Sequence, residues 1–473
     1  MIRRNGRRQK PMKVKIDLTS GSILKKILIV AVPMLLASLV QMLYNLTDMY
    51  WVARVDQLGE IPEEAVAAVG TAGFYPWFGF GLIAIVKIGV SVRVSQAAGR
   101  NDEVGVNRIA TNGTILMVAL ALLYITYGVF FNHHFVGIFN IDNATVVAQS
   151  MSYLRIVTAF GMAYFMVNLF NGIYDGLGKT INTFYIMAVG LTLNMILDPV
   201  FILGFGMGVQ GAALATGLSQ TVTLLIYVVI YSSRKAPAKL RFLTQTTKDE
   251  LKRIFTLGLP VGVQSMVMTI IAIFIGVMVA DFGPRVMSVS RIGAMIEALS
   301  WMIAAGFQVA LAAFVGQNVG AGQFDRVKRG YSTSMKLLVP YGLAINALLF
   351  FAAEPLFAIF IDSEATLREG AIYLRILSIS QLFMILDMVT AGAFNGLGKT
   401  YIPSAVQIIG NVMRIPLAYL LMGAFTDPFH GIWWAISISS LFKGIVLVIF
   451  FAFHMRKLTK QGGFQKVEKT VAA

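Results

Sequence analysis

Runs of about twenty predominantly apolar residues recur along this chain from near residue 27 to near residue 453, separated by short polar connections. A run of that length is what an α-helix needs to cross the hydrocarbon core of a bilayer. About twelve can be counted, and each is continuously apolar with scattered Gly and Pro, unlike the alternating pattern of a membrane β-barrel strand. Composition agrees: 57% of the 473 residues are hydrophobic and 13% charged, with mean hydropathy +0.73, which leaves little polar surface to face water. The expected fold class is an all-α polytopic membrane protein. The first run is a full span with polar groups deep inside it, so it reads as a retained helix rather than a signal peptide. With no cysteine, disulfides, thiolate nucleophiles and cysteine metal sites are excluded.

The net charge of +16 is unevenly placed. Residues 1–15 hold seven Lys/Arg (Arg3, Arg4, Arg7, Arg8, Lys10, Lys13, Lys15), and 232–253 holds seven more, among them Arg234, Lys235 and Arg253. The tail adds Arg456, Lys457, Lys460, Lys466 and Lys469. With twelve spans these segments share one side. The opposite connections are acidic: Asp56, Glu60, Glu63 and Glu64 in one, Glu354, Asp362, Glu364 and Glu369 in another. By the positive-inside rule both termini are cytoplasmic, in a cell inner membrane, and the basic charge reads as topology and contact with anionic lipid rather than nucleic-acid binding.

The chain also repeats itself. Tyr153-Leu154-Arg155-Ile156 recurs as Tyr373-Leu374-Arg375-Ile376, and Gly176-Leu177-Gly178-Lys179-Thr180 recurs as Gly396-Leu397-Gly398-Lys399-Thr400, both displaced by 220. Pro33 parallels Pro260, and Gln96 parallels Gln317. Each half carries six spans, an even number, so the halves cross in the same direction and are related by a pseudo-two-fold along the membrane normal, as in transporters with a central cavity. The expected organisation is a basic segment 1–22, an amino lobe 23–232, a basic inter-lobe loop 233–253, a carboxyl lobe 254–453 and a basic tail 454–473. The repeated Gly-Lys-Thr is not a phosphate-binding loop, because apolar helices flank it; it reads as a turn with glycine ending a helix. With no ATPase motif, an ion gradient must supply the energy.

Carboxylates inside a membrane are costly and need a reason. Gln41, Asn45 and Asp48 share one face of the first span, with Tyr44 beside them. Asn194 and Asp198 lie one turn apart on the fifth. Counting ~1.5 Å per residue from Lys26 to Asp48 and from Lys179 to Asp198 places both acids in the outer half of the membrane. Two such carboxylates together would hold a proton or a small cation such as Na⁺ between them. The residues also allow each Asp simply to sit at a wet helix end. Pro33 interrupts the first span's hydrogen bonding, as a static kink or as a hinge. Asp387 and Arg414, at similar depths in the carboxyl half, are expected to form a structural ion pair; Glu297 has no evident partner. Lys87 is expected to snorkel to the cytoplasmic surface. The Met and Phe side chains that line any cavity would suit lipophilic cations.

Pro33…Gln41-Met-Leu-Tyr44-Asn45-Leu-Thr-Asp48, Asn194-Met-Ile-Leu-Asp198-Pro199 with the following Gly-rich run to Thr216, and Gly316-Gln317-Asn318-Val319-Gly320 together resemble the MATE family of multidrug and toxin extrusion transporters. The resemblance implies a V-shaped fold of two six-helix lobes, acting as a monomer without cofactor, that exports organic cations or amphiphiles in exchange for H⁺ or Na⁺. It further implies a coupling-ion site at Tyr44, Asp48, Tyr153, Asn171, Asn194, Asp198 and Thr216, with Na⁺ at Asp48, Asn194, Asp198 and Thr216. Met268 and Met384 stand where the NorM-like branch carries acids, which points to the DinF-like branch. The alternatives are a lipid-linked precursor flippase of the same superfamily, expected to have fourteen spans, and a membrane-embedded enzyme. Against the enzyme, the four histidines (His133, His134, His430, His454) lack metal-site spacing. In the repeat, Asp48 faces Ile275, Asn194 faces Arg414 and Asp198 faces Ala418, so the ion chemistry is expected in one copy only.

Overall fold

The computed structural model describes residues 16–59, 61–233, 236–361 and 363–460. The basic residues of 1–15, Arg234, Lys235, Lys466 and Lys469, and the acids Glu60 and Asp362, lie outside them. Among the described residues eleven helices are long and apolar enough to cross a membrane, and a bent pair makes a twelfth. In chain order the spans are α1 (Ile23–Val52), α2 (Pro62–Gly99), α3 (Glu103–Phe130), α4 (Ala144–Ala159 and Gly161–Gly176), α5 (Thr180–Pro199) and α6 (Gly208–Ser232). The second half holds α7 (Lys248–Ala280), α8 (Pro284–Gly320), α9 (Phe324–Phe351), α10 (Glu364–Gly396), α11 (Tyr401–Val412 and Arg414–Met422) and α12 (Phe429–Lys460).

Helices outrun the apolar stretches because polar residues continue the backbone ladder beyond the membrane. The start of α7 falls inside the expected inter-lobe loop: Thr247 Oγ1 accepts from the Glu250 amide at 3.4 Å, and Asp249 and Glu250 occupy the first turn. Three spans depart from simple helices, α11 being interrupted at Met413. The halves of α4 meet at 51° at Phe160-Gly161, and α5 gives way after Pro199 to a π-helical turn, Val200–Gly204.

The repeat is visible as matched hydrogen bonds. Each Gly-Leu-Gly-Lys-Thr ends a helix in the same way: Gly178 (φ 74°) and Gly398 (φ 73°) take the left-handed conformation, and the Lys179 and Lys399 amides both reach back to the carbonyls of Tyr174 and Phe394 at 2.9 Å. The threonine closing each motif then bonds the opening helix of its own half. Thr180 Oγ1 donates to the Val30 carbonyl at 2.9 Å, and Thr400 Oγ1 to that of Leu257 at 2.6 Å, in each case three residues before the helix proline.

Between the halves, α2 and α8 cross at their carboxyl ends. A Cβ on Gly99 would fall 2.0 Å from the Gln317 carbonyl, and one on Gly320 would fall 2.0 Å from that of Gln96, so only glycine permits the approach. Across this crossing Gln96 Nε2 donates to the Gly396 carbonyl at 3.1 Å and Gln317 Nε2 to that of Gly176 at 3.4 Å. Leu18 straps the junction, its amide donating to Gln317 Oε1 and its carbonyl accepting from Asn318.

The packed bodies are not the sequence halves. Ile27, Val30 and Ala31 of α1 belong to a hydrophobic core formed by α8, α9, α10 and α12. Ile254 of α7 reciprocally joins the core of the first half, where Arg93 and the buried Glu250 pair at 2.9 Å. The opening turns of α1 and α7 therefore each pack against a core built mainly by the other half. We predict that Gln96→Ala and Gln317→Ala each lower the melting midpoint of the purified protein, and that the double variant loses about the sum, ~1–3 kcal/mol for two buried bonds. A double variant no less stable than the parent would show that the crossing is held by packing alone.

Candidate ion and substrate site

Between α1, α2, α4, α5, α6, α7 and α8 lies a cavity of about 1090 Å³. Its wall is mixed apolar and polar: Met34, Met42, Met187, Met268 and Met302 line it, with Trp77, Phe80 and Trp301. Six of the seven residues expected from the sequence face it as well, namely Tyr44, Asp48, Tyr153, Asn171, Asn194 and Thr216.

The polar cluster is assembled by helix periodicity. On α5, Thr183, Met187, Gly190, Asn194 and Asp198 fall at intervals of four, three, four and four, hence on one face. Thr216, two turns into α6, is its centre. Its hydroxyl lies 3.4 Å from Tyr44 Oη, and with the Asn194 amide oriented to satisfy both its atoms, Asn194 accepts from the Thr216 backbone amide at 3.0 Å and donates to Asp198 Oδ2 at 3.1 Å. Asp198 is fully buried behind Asn194 and does not line the cavity. Asp48 does, and its Oδ1 is buried without a hydrogen-bond partner. The two carboxylates lie within electrostatic reach of each other, and both Tyr44 and the buried Tyr153 lie within reach of both.

Asn171 belongs to a neighbouring cluster instead: its Oδ1 accepts from Tyr227 Oη, and its amide nitrogen lies 3.5 Å from Met187 Sδ. Tyr227 and Tyr164 were missed in the sequence. The stripes on α4 (Tyr164, Asn168, Asn171, Asp175) and α6 (Thr216, Gln220, Thr223, Tyr227) carry the same helical spacing that exposed Asp48 and Asp198, and would have found them.

Asp48, Asp198, Thr216 and Tyr44 offer a set of hard oxygen donors, and the unpartnered Asp48 oxygen leaves one lone-pair set free. The residues fit a proton or a small cation, whose charge would compensate the two acids.

Two other expectations are corrected. Asp387 and Arg414 make no ion pair within 4.0 Å: Gln407 Nε2 donates to Asp387 Oδ1 at 2.9 Å, while Arg414 donates to Ser439 Oγ at 2.8 Å and Ser440 Oγ at 3.4 Å. Both sit in a buried cluster with Glu297 and Lys443, and Lys443 Nζ donates to Asn411 Oδ1 at 3.0 Å. Side-chain amides and hydroxyls thus satisfy charges that the sequence could only pair with one another. Lys87 does not snorkel outward but faces the cavity, its Nζ 3.5 Å from Asn168 Oδ1.

The family model MatE matches residues 33–200 and 260–420, most of each half. The chain belongs to the MATE family. Among relatives, a probable multidrug resistance protein NorM of Thermotoga maritima is 24% identical over 434 residues, covering 91% of this chain and 92% of that one. The probable multidrug resistance protein YoeA of Bacillus subtilis is 24% identical, covering 87% and 90%. A MATE structure in the straight conformation superposes with a TM-score of 0.86 at 26% identity, covering 96% of this chain and 99% of the other, and one in the bent conformation with 0.86 at 25%, covering 98% and 100%. An outward-facing MATE transporter of the MOP superfamily gives 0.85 at 25% identity, covering 96% and 99%. This MATE protein is therefore a multi-pass membrane transporter and not an enzyme.

Because Thr216 joins Tyr44 to the Asn194–Asp198 pair, Thr216→Val should slow transport by purified protein in liposomes roughly two- to tenfold, the worth of one hydrogen-bonding hydroxyl, while Thr216→Ser keeps most of the rate. Equal rates for the valine variant and the parent would remove Thr216 from the site.

Proposed function

We propose that this protein is a secondary active exporter of organic cations and amphiphiles, driven by inward movement of H⁺ or Na⁺ and working by alternating access. The observation that carries this reading is the Asp48–Asp198 pair: two intramembrane carboxylates within electrostatic reach of each other, one facing the cavity with an unpartnered oxygen, the other enclosed behind Asn194. A proton or Na⁺ entering at Asp48 would offset one of the pair's two negative charges, and Tyr44 and Thr216 would carry the change between α1 and α6. Substrate and ion would then share one cavity, so that the occupant of one state is displaced in the next. The methionines and aromatic faces of the wall suit lipophilic cations of varied shape.

Pro33 is the proposed hinge. It lies 15 residues before Asp48, is buried, and sits just beyond the Thr180–Val30 bond that fixes the lower part of α1. The relatives solved in straight and bent conformations support such a movement. Met268, which lines the cavity, and Met384 support the DinF-like branch. The basic connections support cytoplasmic termini in the cell inner membrane. The twelve spans among the described residues favour an exporter over a fourteen-span lipid-linked precursor flippase.

Asp48→Asn and Asp198→Asn are each expected to abolish gradient-driven efflux of a lipophilic cationic dye from proteoliposomes while the variants still insert and purify. Full efflux by both would refute the coupling assignment. Imposing a proton gradient and a sodium gradient in turn identifies the ion, which should be the one whose gradient drives the parent but neither variant.

A further inference from the structure

At the floor of the cavity, beyond the coupling residues, Lys87 and Asp175 face one another without touching. Lys87 is the one cationic side chain on the wall, and Asp175 is the one carboxylate there besides Asp48. They lie within electrostatic reach, yet no ion pair within 4.0 Å joins them. Lys87 makes one long bond, 3.5 Å to Asn168 Oδ1, leaving most of its three-donor capacity unused. Asp175 is 3% exposed, and its Oδ1 has no hydrogen-bond partner.

A purely structural pair in so low a dielectric would be rewarded for closing to contact. Here the frame keeps the two apart. α4 passes so near α2 that a Cβ on Gly172 would lie 2.9 Å from the Lys87 carbonyl and 3.1 Å from its Cγ, so the lysine stem is pinned against α4. Asp175, one turn further along α4, ends just before the Gly178 turn, whose backbone bonds fix its position.

We propose that Lys87 and Asp175 form a substrate subsite for zwitterionic organic compounds, with an acidic group of the ligand on Lys87 and a cationic group on Asp175. Such a ligand completes two ion pairs that the protein leaves open, and does so without adding net charge to the buried cavity. A ligand with a cation alone would satisfy Asp175 and leave Lys87 repelling it. The subsite rests on the export reading for its role as a substrate site, but its occupancy can be measured without transport.

The test compares rhodamine B, which carries a carboxylate beside its xanthylium cation, with its cationic ethyl ester. Equilibrium binding to detergent-purified full-length protein is read by fluorescence anisotropy, and gradient-driven export by the same protein in liposomes. In the parent the acid should bind at least as tightly as the ester. Lys87→Met should lower the acid-to-ester affinity ratio tenfold or more, Lys87→Arg should retain it, and Asp175→Asn should weaken both dyes. An unchanged ratio in Lys87→Met, or a parent that binds the ester but not the acid, overturns the subsite. Lys87-dependent binding of the acid with no gradient-driven export of either dye would uphold the subsite and overturn the export reading.

Discussion

The structure depends on the crossing of α2 and α8. In a lipid environment every buried polar group has to be satisfied within the protein, and at this crossing two backbones come within reach of each other because Gly99 and Gly320 present no side chain. The proximity lets Gln96 and Gln317 span from one half to the carbonyls at the opposite Gly-Leu-Gly-Lys-Thr turn. Leu18 fills the junction, and the exchanged first turns of α1 and α7 lock the bodies further. The cavity lies on the far side of this closure, with Lys87 and Asp175 nearest it, and Asp48 and Asp198 further along α1 and α5.

Upon this symmetric frame the two bodies carry different chemistry. In the first, acids meet amides, hydroxyls and a cavity. In the second, Glu297, Asp387, Arg414 and Lys443 gather in a buried cluster in which amides and serine hydroxyls bond the last three, while Glu297 Oε1 is buried without a hydrogen-bond partner. Two acids balanced by two cations leave no charge for a further cation to neutralise. Where the first half has Asn194 and Asp198, the second has Arg414 and the fully buried Ala418, so the same helix positions carry an amide and an acid in one copy and a cation and an apolar residue in the other.

The helices α1 and α7 have matching prolines and matching threonine ties, but only α1 carries a carboxylate beyond its proline. A bend at Pro33 would therefore move a carboxylate, whereas one at Pro260 would move the uncharged cavity residues Gln264, Ser265, Met268 and Thr269.

By itself, the sequence determined the number and kind of spans, the duplication, the turn chemistry of Gly-Leu-Gly-Lys-Thr and several of the polar residues that line the cavity. Each of these is written in residues close along the chain, as apolar length, as displacement by 220 or as helical spacing such as Asn194 and Asp198. Only the tertiary structure decided which partners those residues meet: that Thr216 joins Tyr44 to Asn194, that Asn171 turns to Tyr227, that Gln407 rather than Arg414 bonds Asp387, and that Lys87 faces the cavity. The reason is physical. Helix periodicity fixes the face a side chain occupies, while the neighbour on that face is set by how separate helices cross, and at α2, α4 and α8 the close approaches at Gly99, Gly172 and Gly320 are to residues more than eighty positions away in the chain.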